Sequence, residues 1–276
     1  MFEIGDSVTR KSYDNDIVFK IVAIDKDIYY LSGLNVRLYA DATKDDLEKY
    51  DNHIEEDERE FLNSIKDINN LERNDYFYLP GKILHIDGDS DYLKRCLKFY
   101  EDLNIWSVGV IEKEDNVPYK IRDLLEEYNP SIVVITGHDA YYKKGSKEDI
   151  NSYKNSINFV KAVKEARKYE KSHDKLIIIA GACQSDYEEL IKAGANFASS
   201  PKRINIHALD PAIIASKMSL SPVDEDIDIK QMLEKTKYGK DGMGGVRTKG
   251  TMYTGYPRWW ALNKLKKNLI VILVIK

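Results

Sequence analysis

The stretch Ser131-Ile-Val-Val-Ile-Thr-Gly-His138-Asp139 and its echo Leu176-Ile-Ile-Ile-Ala-Gly-Ala-Cys183 decide the fold. Each is a short Val/Ile run that stops at small residues and then presents a reactive side chain, an imidazole in one and a thiol in the other. Runs of this kind, bounded by Gly, read as strands buried on both faces of a parallel sheet. In such a sheet the loops at the carboxyl ends of strands bind ligands. The two runs therefore predict a nucleophile and its acid–base partner on adjacent strands at one edge.

The alternation of strands and helices continues on either side. Ile83-Leu-His-Ile86, Trp106 to Ile111, Ile132 to Thr136, Leu176 to Ala180 and Asn196-Phe-Ala-Ser199 read as strands. Between them, apolar stripes such as Tyr92, Leu93, Cys96, Leu97 and Tyr100, or Ile157, Val160, Val163 and Ala166, recur at helical spacing. The fold class is α/β, a mostly parallel sheet with helices on both faces over residues 80 to about 218. Ahead of it, residues 1–42 alternate with period two. Ile17, Phe19, Ile21 and Ala23 share one face there, with turns at Gly5-Asp6, Asp25-Lys-Asp27 and Ser32-Gly33, as in a small SH3-like β-barrel. Residues 43–79 read as an acidic helical linker, 80–257 as the main domain, and 258–276 as a basic, then apolar tail.

The 276 residues carry a net charge of −4, which offers no global field for nucleic acid. The apolar run at 269–275 is shorter than the ~20 residues that span a bilayer, and the first residues lack a signal-peptide pattern. No stable membrane insertion is expected, and synthesis is expected in the cytoplasm. Cys96 and Cys183 read as free thiols, one in a helix and one at a strand end. No metal or other cofactor is required by the chemistry they suggest.

A thiol attacks a carbonyl as its thiolate, which an imidazole and a helix N-terminus both favour. Cys183 is placed at a strand-to-helix junction and His138 at the end of the neighbouring strand. A hydrophobic block ending in His-Gly and, some 50 residues later, one ending in Ala-Cys mark caspase-like cysteine peptidases. Thr136-Gly-His138 and Gly181-Ala-Cys183 resemble those blocks in that order, 45 positions apart, with Asp139 where Gly is usual. The chain also resembles the sporulation-specific peptidase family YabG. The likeness runs from Gly5-Asp-Ser-Val-Thr-Arg-Lys-Ser-Tyr13 through His85-Ile-Asp-Gly-Asp89, Thr136-Gly-His-Asp-Ala140 and Gly181-Ala-Cys-Gln-Ser185. It continues through Ala193-Gly-Ala-Asn-Phe-Ala-Ser-Ser-Pro201 to Gly255-Tyr-Pro257.

The resemblance implies an endopeptidase of spore-forming bacteria, made in the mother cell and then placed at the forespore surface and spore coat. It implies spore coat and germination proteins as substrates, with cuts at basic residues. In that mechanism Cys183 attacks, His138 transfers the proton, and the main-chain amides of Asp139 and Cys183 hold the oxyanion. An arginine pocket needs a carboxylate. Candidates are Asp87, Asp89 and Asp186, with Asp210 behind them. Two other readings stay open. Ile86-Asp87-Gly-Asp89 resembles the Asp-x-Asp loop of Mg-dependent aspartate phosphotransferases, and the chain could be a non-enzymatic coat-assembly scaffold. His85 and His207 are alternative imidazoles. The Gly-rich stretch Tyr238 to Gly250 is expected to be a loop over the site or a segment cut at Arg247.

Overall fold

The computed structural model describes residues 2–50, 59–63, 76–142, 145–256 and 271–275. The chain opens with β1 (Ser7–Arg10), β2 (Phe19–Asp25), β3 (Ile28–Gly33), β4 (Tyr39–Thr43) and β5 (Leu47–Lys49). They form a five-stranded antiparallel sheet in the order β4-β3-β2-β1-β5. Its hydrogen-bonding edges are β4 and β5. Leu47, in the stretch read as a helical linker, lies instead in β5 and is buried against this sheet's core. The alternation of β2 buries Phe19 and Ile21 but fails at Ala23, because a bulge between Ile21 and Ala23 shifts the register. The acidic run Glu55 to Glu60 lies for the most part outside the described residues, as does the start of the tail at 258–270.

After the short β6 (Phe77–Leu79) comes the large sheet: β7 (Ile83–Asp87), β8 (Ser107–Ile111), β9 (Ile132–Thr136), β10 (Ile177–Ala180), β11 (Phe197–Ser199) and β12 (Met243–Gly245). β13 (Tyr253–Gly255) pairs back with β6, and β14 (Val271–Ile275) adds a last strand to the large sheet beside β8. The order of the seven strands is β12-β11-β10-β9-β7-β8-β14, and every pairing is parallel except that of β12. The expectation of adjacent His and Cys strands holds: β9 and β10 pair in parallel, with Ile135 opposite Ala180.

Between the strands run α1 (Ser90–Asp102), α2 (Val117–Tyr128), α3 (Ser156–Tyr169), α4 (Tyr187–Ala193) and α5 (Asp210–Leu220). Asp89 starts α1 by accepting from the amides of Asp91 and Tyr92, and Pro118 sits in the first turn of α2. Asn129 and Gly194 end α2 and α4 in the left-handed conformation. Alternate residues of each strand enter opposite cores. Leu84, Ile86, Val133, Ile135 and Ile178 pack with α2, α3 and α4. Ile83, Ile132, Val134, Ile177 and Ile179 pack with α1 and α5. This second core is continuous with Val8, Phe19, Ile21, Leu31, Val36 and Leu38, so the N-terminal sheet shares it.

The Gly-rich stretch is not one loop: Gly239–Gly242 is a helical turn and Met243–Gly245 is the edge strand β12. A Cβ at Gly245 would lie 2.1 Å from the Phe197 ring, so glycine lets β12 lie close against β11. Arg247, just beyond it, pairs with Asp226 on the surface. The neighbouring Val246 amide bonds the carbonyl of Asn196, at the amino end of β11. Arg247 is therefore at the opposite edge of the sheet from Cys183.

Candidate active site

The strand order places the switch of connection direction between β7, whose helix leads to β8, and β9, whose helix leads to β10. The crevice outside the carboxyl ends of such strands is where open α/β sheets bind ligands. Asp87 ends β7, Thr136-Gly-His138 ends β9, and Cys183 follows β10. Three sequence candidates thus meet at one edge.

His138 is 3 % exposed and held by its own backbone. Its amide donates to Glu114 Oε1 at 2.8 Å, and its carbonyl accepts from Asn155 Nδ2. Nδ1 lies 3.8 Å from Glu114 Oε1 and Nε2 lies 3.8 Å from Asp89 Oδ2. Nε2 is buried without a hydrogen-bond partner. Burial would raise the Glu114 carboxyl, but the bonds from His138 hold it below its ordinary range. Glu114 escaped the sequence reading. Its signal was its place just after β8, at the same sheet edge. Gly88 and Gly137 make room for it: a Cβ on either would come within 2.5 Å of Glu114 Oε1.

Cys183 corrects one expectation. It does not start a helix; α4 begins four positions later, capped by Asp186, and Cys183 sits in a turn whose next residue, Gln184, has φ +60°. The thiol is fully buried and touches the Ile206 backbone, with the amide 3.3 Å from Sγ. Burial pushes it up to about 12, against the pull of the Ile206 and Arg37 amides and the Arg37 charge. In this arrangement the thiol form is strongly favoured over the expected thiolate. Cys96 is also a free buried thiol, on α1.

The Asp139 carboxylate is buried and accepts from the amides of Ala140 and Asn155 and from the hydroxyls of Ser156 and Ser185. It ties the His138 loop to the start of α3 and to the Cys183 turn. Burial raises its carboxyl despite those bonds.

The pocket candidates separate. Asp87 is fully buried, pairs with the Arg37 guanidinium and accepts from Thr136 Oγ1 and the Asp89 amide. Burial would raise its carboxyl, but Arg37 and then His85 hold it well below the usual range. Asp89 caps α1 and faces His138. Asp186 caps α4 and pairs with Arg203, which also pairs with Glu188. Asp210 accepts from the amides of His207 and Lys237 and is pushed up to about 7 by burial. A Mg²⁺ between Asp87 and Asp89 would have to displace the Arg37 guanidinium, and no metal-type cluster of three acidic, His or Cys residues occurs among the described residues. His85, bonded to Tyr100 and Thr136, and His207, held at about 3 by burial, are structural.

The N-terminal sheet reaches this edge. The Tyr39 ring stacks on His138 with centroids 3.8 Å apart, and Arg37 enters the core beside Asp87. Neither was singled out from sequence.

Fold and site together define an α/β protein with an imidazole and a thiol at the carboxyl edge of a parallel sheet. Residues 3–257 match the model of the YabG peptidase U57 family. The chain is 41% identical over 288 aligned positions to the sporulation-specific protease YabG of Bacillus subtilis (strain 168), covering 93% of this chain and 98% of that one. The chain belongs to the YabG peptidase family, and its role is that of a protease acting on protein substrates. Among the described residues no helix is long and apolar enough to cross a membrane.

Proposed function

We propose that the protein is a cysteine endopeptidase that processes spore coat and germination proteins during sporulation, in the mother cell and then at the forespore surface and coat. Cys183 is its nucleophile and His138 its acid–base group. The observation that supports this reading is the parallel pairing of β9 with β10, the two strands that lead to His138 and Cys183. The buried, unpartnered Nε2 of His138 supports it, because a polar atom kept dry without a partner is costly unless a ligand meets it.

The reaction is acyl transfer. Cys183 Sγ bonds to the scissile carbonyl carbon and its proton passes, through His138, to the departing amine. Water then attacks the thioester, gives a proton to His138, and releases the acid while the thiol is restored. The Asp139 and Cys183 amides hold the oxyanion, because main-chain donors serve whatever the side chain. Glu114 and Asp89 orient the imidazole. Cuts fall at basic residues, read by a carboxylate from Asp87, Asp89 or Asp186. The N-terminal sheet, the acidic linker, the α/β peptidase domain and the tail divide the chain.

Cys183→Ala and His138→Ala test the dyad. Each is expected to lower cleavage of an Arg-containing protein substrate by roughly a thousandfold or more, with the fold intact by circular dichroism. Native rates in both would sink the assignment and favour a scaffold.

A further inference from the structure

The segment 34–39 is the loop that joins β3 to β4 together with the first residue of β4, and it crosses the site. Val36 forms an antiparallel bridge with His207, and the Ala208 amide donates to the Asn35 carbonyl at 2.9 Å. Residues 206–208 follow β11, the strand beside that of Cys183, and Ile206 supplies the amide that faces Sγ. The Arg37 amide also faces that sulfur. One residue of the segment therefore has its backbone at the thiol and its two predecessors paired along the neighbouring edge. Peptide ligands are commonly held this way, by strand addition, with side chains read in pockets.

The Arg37 side chain goes into such a pocket. It is fully buried, pairs with Asp87, donates to the Ala208 carbonyl at 2.7 Å and lies over the Tyr92 ring. Beyond it, the Leu38 amide turns back to the Val36 carbonyl at 2.9 Å and Tyr39 lies flat on His138. Open clefts flank the segment on both sides. One is lined by Tyr39, Asp89 and Tyr92, and the other by Asn35, Val36 and His207.

We propose that residues 34–39 occupy the substrate groove as an internal substrate mimic. Arg37 sits in the primary specificity pocket and Asp87 forms the pocket's base. Residues 206–208 are the edge that pairs with the substrate backbone, and an arginyl peptide enters only when the segment leaves. The inference rests on Cys183 being the nucleophile. It explains how a buried thiol belongs to a peptidase: the covering is the ligand's own stand-in. The turn centred on Arg37, closed by the Leu38 amide on the Val36 carbonyl, carries the chain away from the bond that would be cut, which keeps the mimic from being a substrate.

The test uses the full chain carrying Arg37→Glu, which places a second carboxylate against Asp87 and expels the segment. Tyr39→Ala, at a ring 43 % exposed, is the milder variant should the first fail to fold. Two rates are read: iodoacetamide labelling of Cys183 by peptide mass mapping, and hydrolysis of a fluorogenic arginyl peptide. Both are expected to rise at least tenfold in Arg37→Glu and at least threefold in Tyr39→Ala. A synthetic peptide of residues 32–41 is expected to reverse both gains. A folded variant with both rates at or below the native value overturns the proposal. Failure of the dyad itself reads differently, as unchanged hydrolysis in Cys183→Ala.

Discussion

At Cys183 burial outweighs every local stabiliser of the thiolate. The Ile206 and Arg37 amides and the Arg37 charge all favour the anion, yet desolvation pushes the thiol to about 12. Solvating the sulfur, by moving what covers it, is thus the step that activates it. In the native chain the alkylation rate of Cys183 is expected to climb about tenfold per pH unit from 7 to 9 without levelling off, as thiolate fraction sets reactivity. A plateau near pH 8, measured by quantitative mass spectrometry, would contradict the buried thiol. His138 is prepared differently, by a main-chain bond to Glu114 and a second carboxylate at Asp89. Glu114 reaches it because Gly88 and Gly137 carry no Cβ. Of these groups His138 and Cys183 were legible from their strand-end positions. Glu114 was not, because a Glu in the charged run Glu112-Lys-Glu-Asp115 looks like solvated surface.

At the scale of elements, the site depends on loops being held to the sheet edge. The Asp139 carboxylate serves four donors from three segments, so its loss leaves buried hydrogen-bonding groups unpaired. Asp139→Ala is expected to cost about 3 kcal/mol of stability, since each buried unsatisfied group costs about 1–3 kcal/mol and some relax. Urea denaturation checks it, and a cost under 1 kcal/mol would mean that the tie is dispensable. The raised Asp139 carboxyl sets a sign. An acid titrating higher in the folded than in the unfolded state costs stability as pH rises from its unfolded value through its folded one. The bonds from Ser156 and Ser185 limit that cost. The five strands read from Val/Ile runs and the helices between them lie within a residue or two of their observed bounds, whereas α5 and β14 were not read as elements. The β12 edge was misread because Gly-Met-Gly-Gly has no strand composition, and only the approach of the Tyr187 and Phe197 rings makes glycine the fitting residue.

Over the whole molecule, the N-terminal sheet is part of one structure with the α/β core. Its apolar residues share a cluster with α1 and α5, the Tyr92 hydroxyl donates to the Gly33 and Val36 carbonyls, and Arg37 pairs with Asp87. Unfolding is expected to be one cooperative transition in urea, followed in parallel by near-ultraviolet circular dichroism and by hydrogen exchange at Val8, Phe19 and Val134. Two separated transitions would mean that the sheets fold independently. Removing Asp87 alone is expected to cost roughly 3–5 kcal/mol, because it strands a guanidinium in the core.

What the sequence by itself determined is what local periodicity encodes. It specified the parallel α/β order, the pairing of the His138 strand with the Cys183 strand, and a family likeness spread along the chain. Only the tertiary structure decided which carboxylate meets which cation, that Arg37 is buried at Asp87, and that Tyr39 covers His138. Arg37 and Asp87 are 50 positions apart, one in the loop between β3 and β4 and the other at the end of β7. No periodic pattern links such residues; their meeting follows from how two apolar faces pack, and that is settled when the chain folds.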